Sequence, residues 1–398
     1  MDSPYVSRST INKARLWKSN RPVLRWLDIE LTERCNNNCI HCYINLPPDD
    51  SNAMKMELSG NELKRILKEA ASLGCLKVRF TGGEPFLRKD FEELYVFSRR
   101  LGLKVAVFTN ATLLTEKLAA VFSRFPPMEK IEVSVYGMKK SSYEFVTRVP
   151  GSYEAAKKGI GILLDKKIPF AVKNTLTPFN KKEVSRFDNW AKSIQGGEGV
   201  PYNIFFNLHC RRDERKNRFI RKFRVSPTEG VKFLMRDKKA YSKAILNFCS
   251  RFIGPPGDRL FSCGSGKGIG CVDAYGKFQP CMLLRHPDCV YDLKGGSLKD
   301  ALENFFPRLR EAKAMKSDYL NRCAECFLKD LCEQCPGVSW MEHGVLDRPV
   351  EYFCNIAHTQ ARAIGLLNPG EMGWEVSGWR ERISKCVKKG GRDYENKY

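Results

Sequence analysis

The sequence predicts an α/β protein: a partial (β/α)6 TIM-type barrel followed by a small cysteine-rich domain. The first observation is that strand and helix patterns alternate from about residue 22 to about residue 208, at the spacing of about 30 residues typical of β/α units. The second is that loop-rich sequence from Cys263 to Cys354 holds more than half of the 16 cysteines. Six units instead of eight predict a barrel that stays open.

Six short runs in which apolar and polar side chains alternate predict the strands. They are Trp26–Leu31, Leu76–Phe80, Lys104–Thr109, Lys130–Val135, Phe170–Thr175 and Asn203–Leu208. Apolar residues at helical spacing predict the helices between and after them. These are expected near residues 63–70, from Asp90, from Thr115, at Ser152–Asp165, at Lys181–Ser193, at Pro227–Asp237 and at Phe353–Leu367.

Polar side chains occupy alternate positions on four of these strands. Because successive strand side chains point to opposite faces, the apolar set should face the helices and the polar set the barrel lumen. A closed eight-stranded barrel fills its lumen with branched apolar residues, so a charged lumen predicts a wet cavity for a polar ligand. The alternative is a few surface charges that reach solvent. The polar set is Asp28, Glu30, Lys77, Arg79, Glu132, Ser134, Lys173 and Thr175.

The loop after the first strand carries Cys35, Cys39 and Cys42 with the spacing C-x3-C-x2-C. Thiolates on one short loop can bind one soft centre, either zinc or an iron–sulfur cluster. A protein zinc site takes four ligands, and a structural zinc site leaves none open. Three cysteines with no fourth nearby favour a four-iron cluster that leaves one iron for a substrate or cofactor.

A second motif, Gly82-Gly83-Glu84-Pro85, follows the second strand. The glycines let the backbone approach a ligand closely, and Glu84 can accept a hydrogen bond from an ammonium group. With these two motifs after successive strands, the chain resembles the radical S-adenosylmethionine (SAM) superfamily. The resemblance implies that the three cysteines bind a [4Fe-4S] cluster and that the second motif holds the amino group of SAM.

The resemblance also implies further cofactor contacts and a reaction. Tyr43 is expected to pack near the adenine, and Ser134 and Arg148 to contact SAM, Arg148 through a bidentate fork on the carboxylate. The alternative for Arg148 is a surface salt bridge. His41 is not expected to coordinate. One electron would split SAM into methionine and a 5′-deoxyadenosyl radical, which removes a hydrogen atom from a substrate carbon.

The C-terminal cysteines follow a second pattern. Taken alone, their paired C-x2-C spacing also fits one or two zinc sites. The arrangement resembles the SPASM domain, a cysteine-rich extension of radical SAM peptide maturases that binds two auxiliary clusters. The chain departs from that pattern because two residues, not three, separate the last C-x2-C pair. The resemblance implies one auxiliary cluster on Cys263, Cys271, Cys281 and Cys335, and another on Cys323, Cys326, Cys332 and Cys354.

The predicted organisation has five parts. A lead-in covers residues 1–22, the radical SAM core barrel 23–225, a connecting helical segment 226–260 and the SPASM domain 261–370. A basic tail, residues 371–398, is expected to be poorly ordered or lightly docked. The lead-in has no apolar core typical of a secretion signal and no run reaches membrane-spanning length, so a cytoplasmic location is expected.

Lys and Arg exceed Asp and Glu by 68 − 45 = 23. This excess indicates either a strongly charged soluble surface or attraction of an acidic partner. Radical SAM enzymes as a class need an electron donor, commonly an acidic ferredoxin or flavodoxin. An acidic peptide substrate or nucleic acid would also be attracted. Nucleic acid is the weakest option because the basic stretch Arg211–Arg224 carries no RNA-binding motif.

The expected substrate is a peptide or protein that undergoes oxidative modification, with a separate protein for leader recognition. Sulfatase maturases carry an aspartate after the cysteine at the Cys281 position; Met282 stands there, and Asp273 is out of register. One alternative is a tetrapyrrole-modifying enzyme of the haem pathways, and another is a zinc-bearing binding module without activity. The sequence identifies no catalytic base.

Overall fold

The computed structural model describes residues 24–194, 199–211 and 213–395, with side chains as far as Lys388. The predicted lead-in at residues 1–22 lies outside the described residues. Among the residues that are described, no helix combines the length and hydropathy needed to cross a bilayer.

The first six strands form the parallel part of one sheet. Their bounds are β1 (Trp26–Thr32), β2 (Lys77–Gly82), β3 (Lys104–Thr109), β4 (Met128–Ser134), β5 (Phe170–Thr175) and β6 (Tyr202–Phe205). They pair in parallel with their neighbours in chain order. This arrangement confirms the predicted α/β class and the open barrel of six β/α units. The sixth strand ends three residues earlier than expected.

The helices of this part alternate with the strands. They are α1 (Ser51–Met56), α2 (Gly60–Ser72), α3 (Phe91–Arg100), α4 (Glu116–Arg124), α5 (Lys140–Thr147), α6 (Ser152–Asp165) and α7 (Val184–Ser193). Local sequence explains where they begin. Ser59 and Glu62 form a reciprocal capping box before α2, and Thr115 caps α4 through its hydroxyl.

The second part of the chain is built from shorter elements. Its helices are α8 (Asn217–Phe223), α9 (Pro227–Leu234), α10 (Lys238–Phe252), α11 (Leu298–Asp300), α12 (Phe306–Arg310), α13 (Pro336–His343), α14 (Glu351–Ala363) and α15 (Trp379–Glu395). Single π-helical turns occupy Ala301–Phe305 and Tyr319–Cys323. Its strands are β7 (Ile269–Val272), β8 (Lys277–Gln279) and β9 (Tyr291–Asp292).

The sheet continues from the barrel into the cysteine-rich part. Strand β7 pairs in parallel with β1, and β8 and β9 extend the sheet in antiparallel pairing. The described sheet therefore has the order β6-β5-β4-β3-β2-β1-β7-β8-β9. Because Cys271 lies on β7, main-chain hydrogen bonds attach this part of the chain directly to the first barrel strand.

Residues expected to form a lightly docked tail contain helix α15, which packs against α10. Trp379, Ile383 and Val387 lie four residues apart, so they form one apolar stripe, and Ile383 is buried. Of the two expected states, poorly ordered or lightly docked, residues 379–388 therefore adopt a docked one, as a helix. The composition of this segment obscured the helix, because basic residues dominate it.

The two faces of the barrel strands separate as expected. The apolar set Leu27, Ile29, Val78, Phe80, Ile131 and Val133 is fully buried against the helices. On the other face, charges neutralise one another: Arg79 pairs with Asp28 at 2.5 Å, and Lys173 pairs with Glu132. Of the eight polar lumen residues, only Ser134 and Thr175 line the large cavity described below.

Candidate functional site

A cavity of ≈ 310 Å³ lies at the carboxyl ends of the barrel strands. Its wall is formed by the cysteine loop after β1, the glycine motif after β2 and residues that follow β3, β4 and β6. The carboxyl ends of parallel strands meet at one edge of a sheet, so loops distant in sequence converge there. This edge is where ligands bind in open parallel sheets.

Cys35, Cys39 and Cys42 all line this cavity. Burial raises the pKa of the Cys35 thiol and raises that of Cys39 to about 12. Thiolate is the metal-binding form, so these sulfurs ionise readily only beside a cationic centre. The donor set therefore fits an iron–sulfur cluster chemically. Among the described residues, no group of three His, Cys, Asp or Glu side chains is arranged to hold a single metal ion.

Several polar atoms in the cavity wall have no hydrogen-bond partner among the described residues. They are the side-chain amide of Asn37 and the Nδ1 atoms of His41 and His209. Burial lowers the pKa of each histidine to about 4, so both rings are neutral near pH 7. A buried polar group without a partner costs roughly 1–3 kcal/mol. The cavity therefore fits a polar ligand that supplies the missing hydrogen bonds.

The two sequence motifs are joined by main-chain hydrogen bonds. Gly83 N–H donates to Thr32 O at 2.7 Å, and Glu84 N–H donates to Arg34 O at 2.9 Å. A Cβ atom on Gly82 would collide with the carbonyl of Thr32, and one on Gly83 with that of Arg34. Glycine is therefore required because the β2 loop backbone runs directly against the cysteine loop.

Glu84 is not among the residues that line the cavity, and its expected contact with an ammonium group stays a prediction. Its fully buried carboxylate accepts hydrogen bonds from Thr109 Oγ1 at 2.8 Å, Asn110 N at 2.8 Å and Phe86 N at 3.2 Å. These donors hold the carboxylate between β2 and β3. Glu84 thereby positions Asn110, whose amide lies 3.8 Å from Cys35 Sγ.

Tyr43 and Ser134 line the cavity, whereas Arg148 does not. The Tyr43 hydroxyl lies 3.9 Å from Met282 Sδ, so Met282 also faces this space. Arg148 ends α5 in a left-handed conformation with φ of 58°, is exposed and stacks over Phe145 at 4.5 Å. The turn at the end of α5 directs the guanidinium to another surface, and its expected contact with SAM stays a prediction.

Sequence reasoning missed several residues of the cavity wall. Asn110 follows β3, Tyr136 follows β4, and Asn207 and His209 follow β6. Each stands within four residues of a strand end, which is the signal that could have found them. Asp273 is buried, accepts hydrogen bonds from Tyr275 N and Lys277 N, and does not line the cavity.

The C-terminal cysteines separate into two groups. Cys323, Cys326, Cys332 and Cys354 line one compact cavity together with His358 and Trp374. The predicted second auxiliary set is thus brought together. In the other set, burial raises the pKa of Cys335 to about 12, and the negative charges of Cys281 and Cys263 add to that shift. Cys271 is buried on β7, where Glu30 and Asp28 are its main electrostatic neighbours.

Known proteins resemble this chain in sequence and in fold. The Radical SAM superfamily model matches residues 29–193. The AdoMet-dependent heme synthase of Methanosarcina barkeri is 26% identical, covering 77% of this chain and 89% of that protein. The probable GTP 3′,8-cyclase of Methanocella arvoryzae is 30% identical, covering 65% and 81%. The structure of anSMEcpe with bound AdoMet and the Cp18Cys peptide is 14% identical with a TM-score of 0.61, covering 92% and 99%.

Proposed function

The chain belongs to the radical SAM superfamily, and from this premise we propose that it abstracts a hydrogen atom from a peptide or protein and so begins an oxidative modification. One observation carries the proposal: the three loop cysteines and the glycine motif line the same cavity as several unpaired polar atoms. Membership of the family implies a [4Fe-4S] cluster and SAM.

Cys35, Cys39 and Cys42 would hold the cluster. When bound and reduced, the cluster supplies the electron that splits SAM into methionine and a 5′-deoxyadenosyl radical. The backbone at Gly82 and Gly83 has no side chain to keep a ligand away. The remaining residues orient the ligand and keep water out: Asn37, His41 and His209 offer hydrogen-bonding atoms, and Tyr43, Phe108 and Tyr136 form an aromatic wall.

A peptide substrate is supported by the geometry beside the cavity. Strand β6 is the outermost strand at this end of the described sheet. Phe205 is the last residue of β6 and is 46% exposed, and both Phe205 and Asn207 line the cavity. An extended peptide laid along this edge would direct a side chain into the cavity. The two C-terminal cysteine groups would hold auxiliary clusters that accept the product electron.

A tetrapyrrole substrate is the second candidate. It is favoured by the heme synthase relative, which aligns over most of this chain. Deuterium transfer separates the two classes: a peptide deuterated at the reacting carbon would yield deuterated 5′-deoxyadenosine. If the substrate is a tetrapyrrole, a deuterated porphyrin would instead yield the deuterated 5′-deoxyadenosine. Mass spectrometry of the nucleoside measures either outcome.

The catalytic assignment predicts the behaviour of a triple variant. Replacing Cys35, Cys39 and Cys42 with alanine removes all three predicted cluster ligands, so 5′-deoxyadenosine formation under reduction should stop while auxiliary iron remains. Chromatography of the nucleoside and an iron assay measure both properties. Cys75→Ala is the control because Cys75 is buried outside the cavity, its thiol facing Lys77 O at 3.2 Å. Continued SAM cleavage in the triple variant would refute the assignment.

A further inference from the structure

A second cavity, of ≈ 260 Å³, lies on the other side of the cysteine loop and is exposed. The loop contributes Asn38 and Ile40 to it, and Arg148, Lys216 and Phe219 form the facing wall. Cys39 lines the first cavity and the next residue, Ile40, lines the second. The backbone of the cysteine loop therefore lies between this outer surface and the predicted cluster site.

Basic side chains dominate this outer surface. Arg215 is 73% exposed, and Arg218 and Lys222 on α8 are exposed beside it. Arg148 adds a further exposed guanidinium from the end of α5. The acidic residues of the same segment are Asp213 and Glu214, and Asp213 pairs with Arg211 at 2.8 Å and with Arg215 at 3.7 Å. The surface thus keeps a net positive charge, which attracts acidic partners.

Aromatic rings lie among these charges. Phe219 is 56% exposed and Phe179 is 43% exposed. Phe179 packs on Phe145 with ring centroids 4.2 Å apart, and the Arg148 guanidinium lies 4.5 Å from the Phe145 ring. Exposed aromatic residues together with arginine are typical of protein–protein interfaces. We call this combination of Arg148, Arg215, Arg218, Phe219 and Lys222 the basic-aromatic surface.

The basic-aromatic surface is tied directly to the cysteine loop. Lys216 Nζ donates hydrogen bonds to Asn38 Oδ1 at 2.7 Å and to the carbonyl of Cys39 at 3.0 Å. A third bond, to Asn45 Oδ1 at 3.1 Å, holds the end of the same loop. A partner bound here would therefore approach the cluster ligands from the side opposite to SAM and substrate.

We propose that the basic-aromatic surface docks an acidic flavodoxin that reduces the cluster. This inference rests on the proposed function and adds the location of the donor. In the transfer, the anionic flavin hydroquinone loses one electron and becomes the neutral semiquinone, and the oxidised cluster gains that electron. Charge complementarity favours this partner, because an acidic protein presents a surface of opposite sign to the basic-aromatic surface. The exposure of that surface allows the edge of the flavin to approach the cysteine loop.

Binding is tested with purified bacterial flavodoxin and a triple charge reversal, Arg215→Glu, Arg218→Glu and Lys222→Glu. The control reverses three exposed charges of α15, Arg380→Glu, Lys385→Glu and Lys388→Glu, and so changes the net charge equally. Calorimetry at low ionic strength should show Kd raised at least about tenfold by the first variant and less than about twofold by the control. Equal Kd values for the first variant and the unchanged protein would overturn the proposal.

Activity provides a second readout that separates docking from chemistry. With reduced flavodoxin, the first variant should form 5′-deoxyadenosine at least about tenfold more slowly, whereas with dithionite its rate should equal that of the unchanged protein. An equal loss with both reductants would overturn the docking role. A raised KM for an acidic peptide substrate with unchanged flavodoxin binding would assign the surface to substrate instead. If the proposed function fails, dithionite yields no nucleoside from the unchanged protein, while the Kd comparison remains measurable.

Discussion

At the scale of single residues, His209 shows how burial sets the charge of the cavity wall. Its ring stacks on Phe353 with centroids 5.3 Å apart and an interplanar angle of 15°. Burial lowers its pKa to about 4, and the nearby positive charge of Arg224 adds to that effect. A neutral imidazole with an unpaired Nδ1 atom can accept a hydrogen bond from a ligand, which a protonated ring cannot.

His209 also predicts a pH dependence of stability. Its pKa is lower in the folded state, about 4, than in the unfolded chain, about 6.5. The contribution of neutral His209 to the free energy of unfolding is therefore fully present above pH 6.5 and is lost as the pH falls towards 4. Between pH 7.5 and pH 5.5 this loss is about 1.4 kcal/mol.

The variant His209→Phe keeps a ring stacked on Phe353 and removes the titrating group. From pH 7.5 to pH 5.5, the variant should lose about 1.4 kcal/mol less unfolding free energy than the unchanged protein. Anaerobic urea unfolding followed by circular dichroism measures both values. Identical losses in the two proteins would show that His209 is accessible to protons in the folded state.

At the scale of secondary-structure elements, the site depends on two loops that leave adjacent strands. The loop after β1 carries the cysteines, and the loop after β2 supplies the glycines that run against it. Gly82 combines a φ of 130° with a close approach to Thr32, so it has no freedom to carry a side chain. The C-x3-C-x2-C and Gly-Gly motifs are therefore one structural unit.

The effects of two glycine substitutions on stability test the close approach of these two loops. In Gly83→Ala the new methyl group would collide with backbone atoms of the cysteine loop, so the free energy of unfolding should fall by about 2 kcal/mol or more. A methyl group on Gly161, inside α6, would meet no atom of another element within 4 Å. Gly161→Ala should instead raise the free energy of unfolding by about 0.5–1 kcal/mol, since alanine favours helix. Urea unfolding measures both, and equal effects would contradict the close approach.

At the scale of the whole molecule, buried charges join the barrel to the cysteine-rich part. Arg285, four residues after Cys281, forms ion pairs with Glu30 on β1 and with Glu33, the latter at 2.5 Å. Glu33 also accepts a hydrogen bond from the Tyr275 hydroxyl at 2.9 Å. All three charged groups are at most 5% exposed. The two parts are thus coupled through a site that water does not reach.

We expect the removal of the Arg285 charge to cause a large loss of stability. Arg285→Met leaves Glu30 and Glu33 buried without their cation, so it should lower the free energy of unfolding by about 3–5 kcal/mol. Adding Glu30→Gln should recover part of this loss, because it removes one uncompensated charge. The control is Arg259→Met, whose ion pair with Glu311 is exposed and should contribute less than about 1 kcal/mol. Equal costs for both substitutions would refute the coupling.

Local patterns in the sequence were sufficient for the fold class and for the centre of the site. Alternation within Lys104–Thr109 and Phe170–Thr175 predicted both strands with the bounds that the structure has. The spacing of Cys35, Cys39 and Cys42 and the position of Gly82 and Gly83 after the next strand identified the superfamily. These features depend on residues close together in the chain, and backbone geometry converts such local patterns directly into structure.

Other features depend on contacts between distant segments and were decided by the tertiary structure. The sequence motif could not show that the Glu84 carboxylate is buried against the backbone of Asn110, or that Arg148 faces the outer surface. Arg285 meets Glu30 across 255 positions of the chain. The sequence by itself determined which elements and cofactor motifs exist; only packing decided which side chains face the cavity, because local periodicity carries no information about the partner on another element.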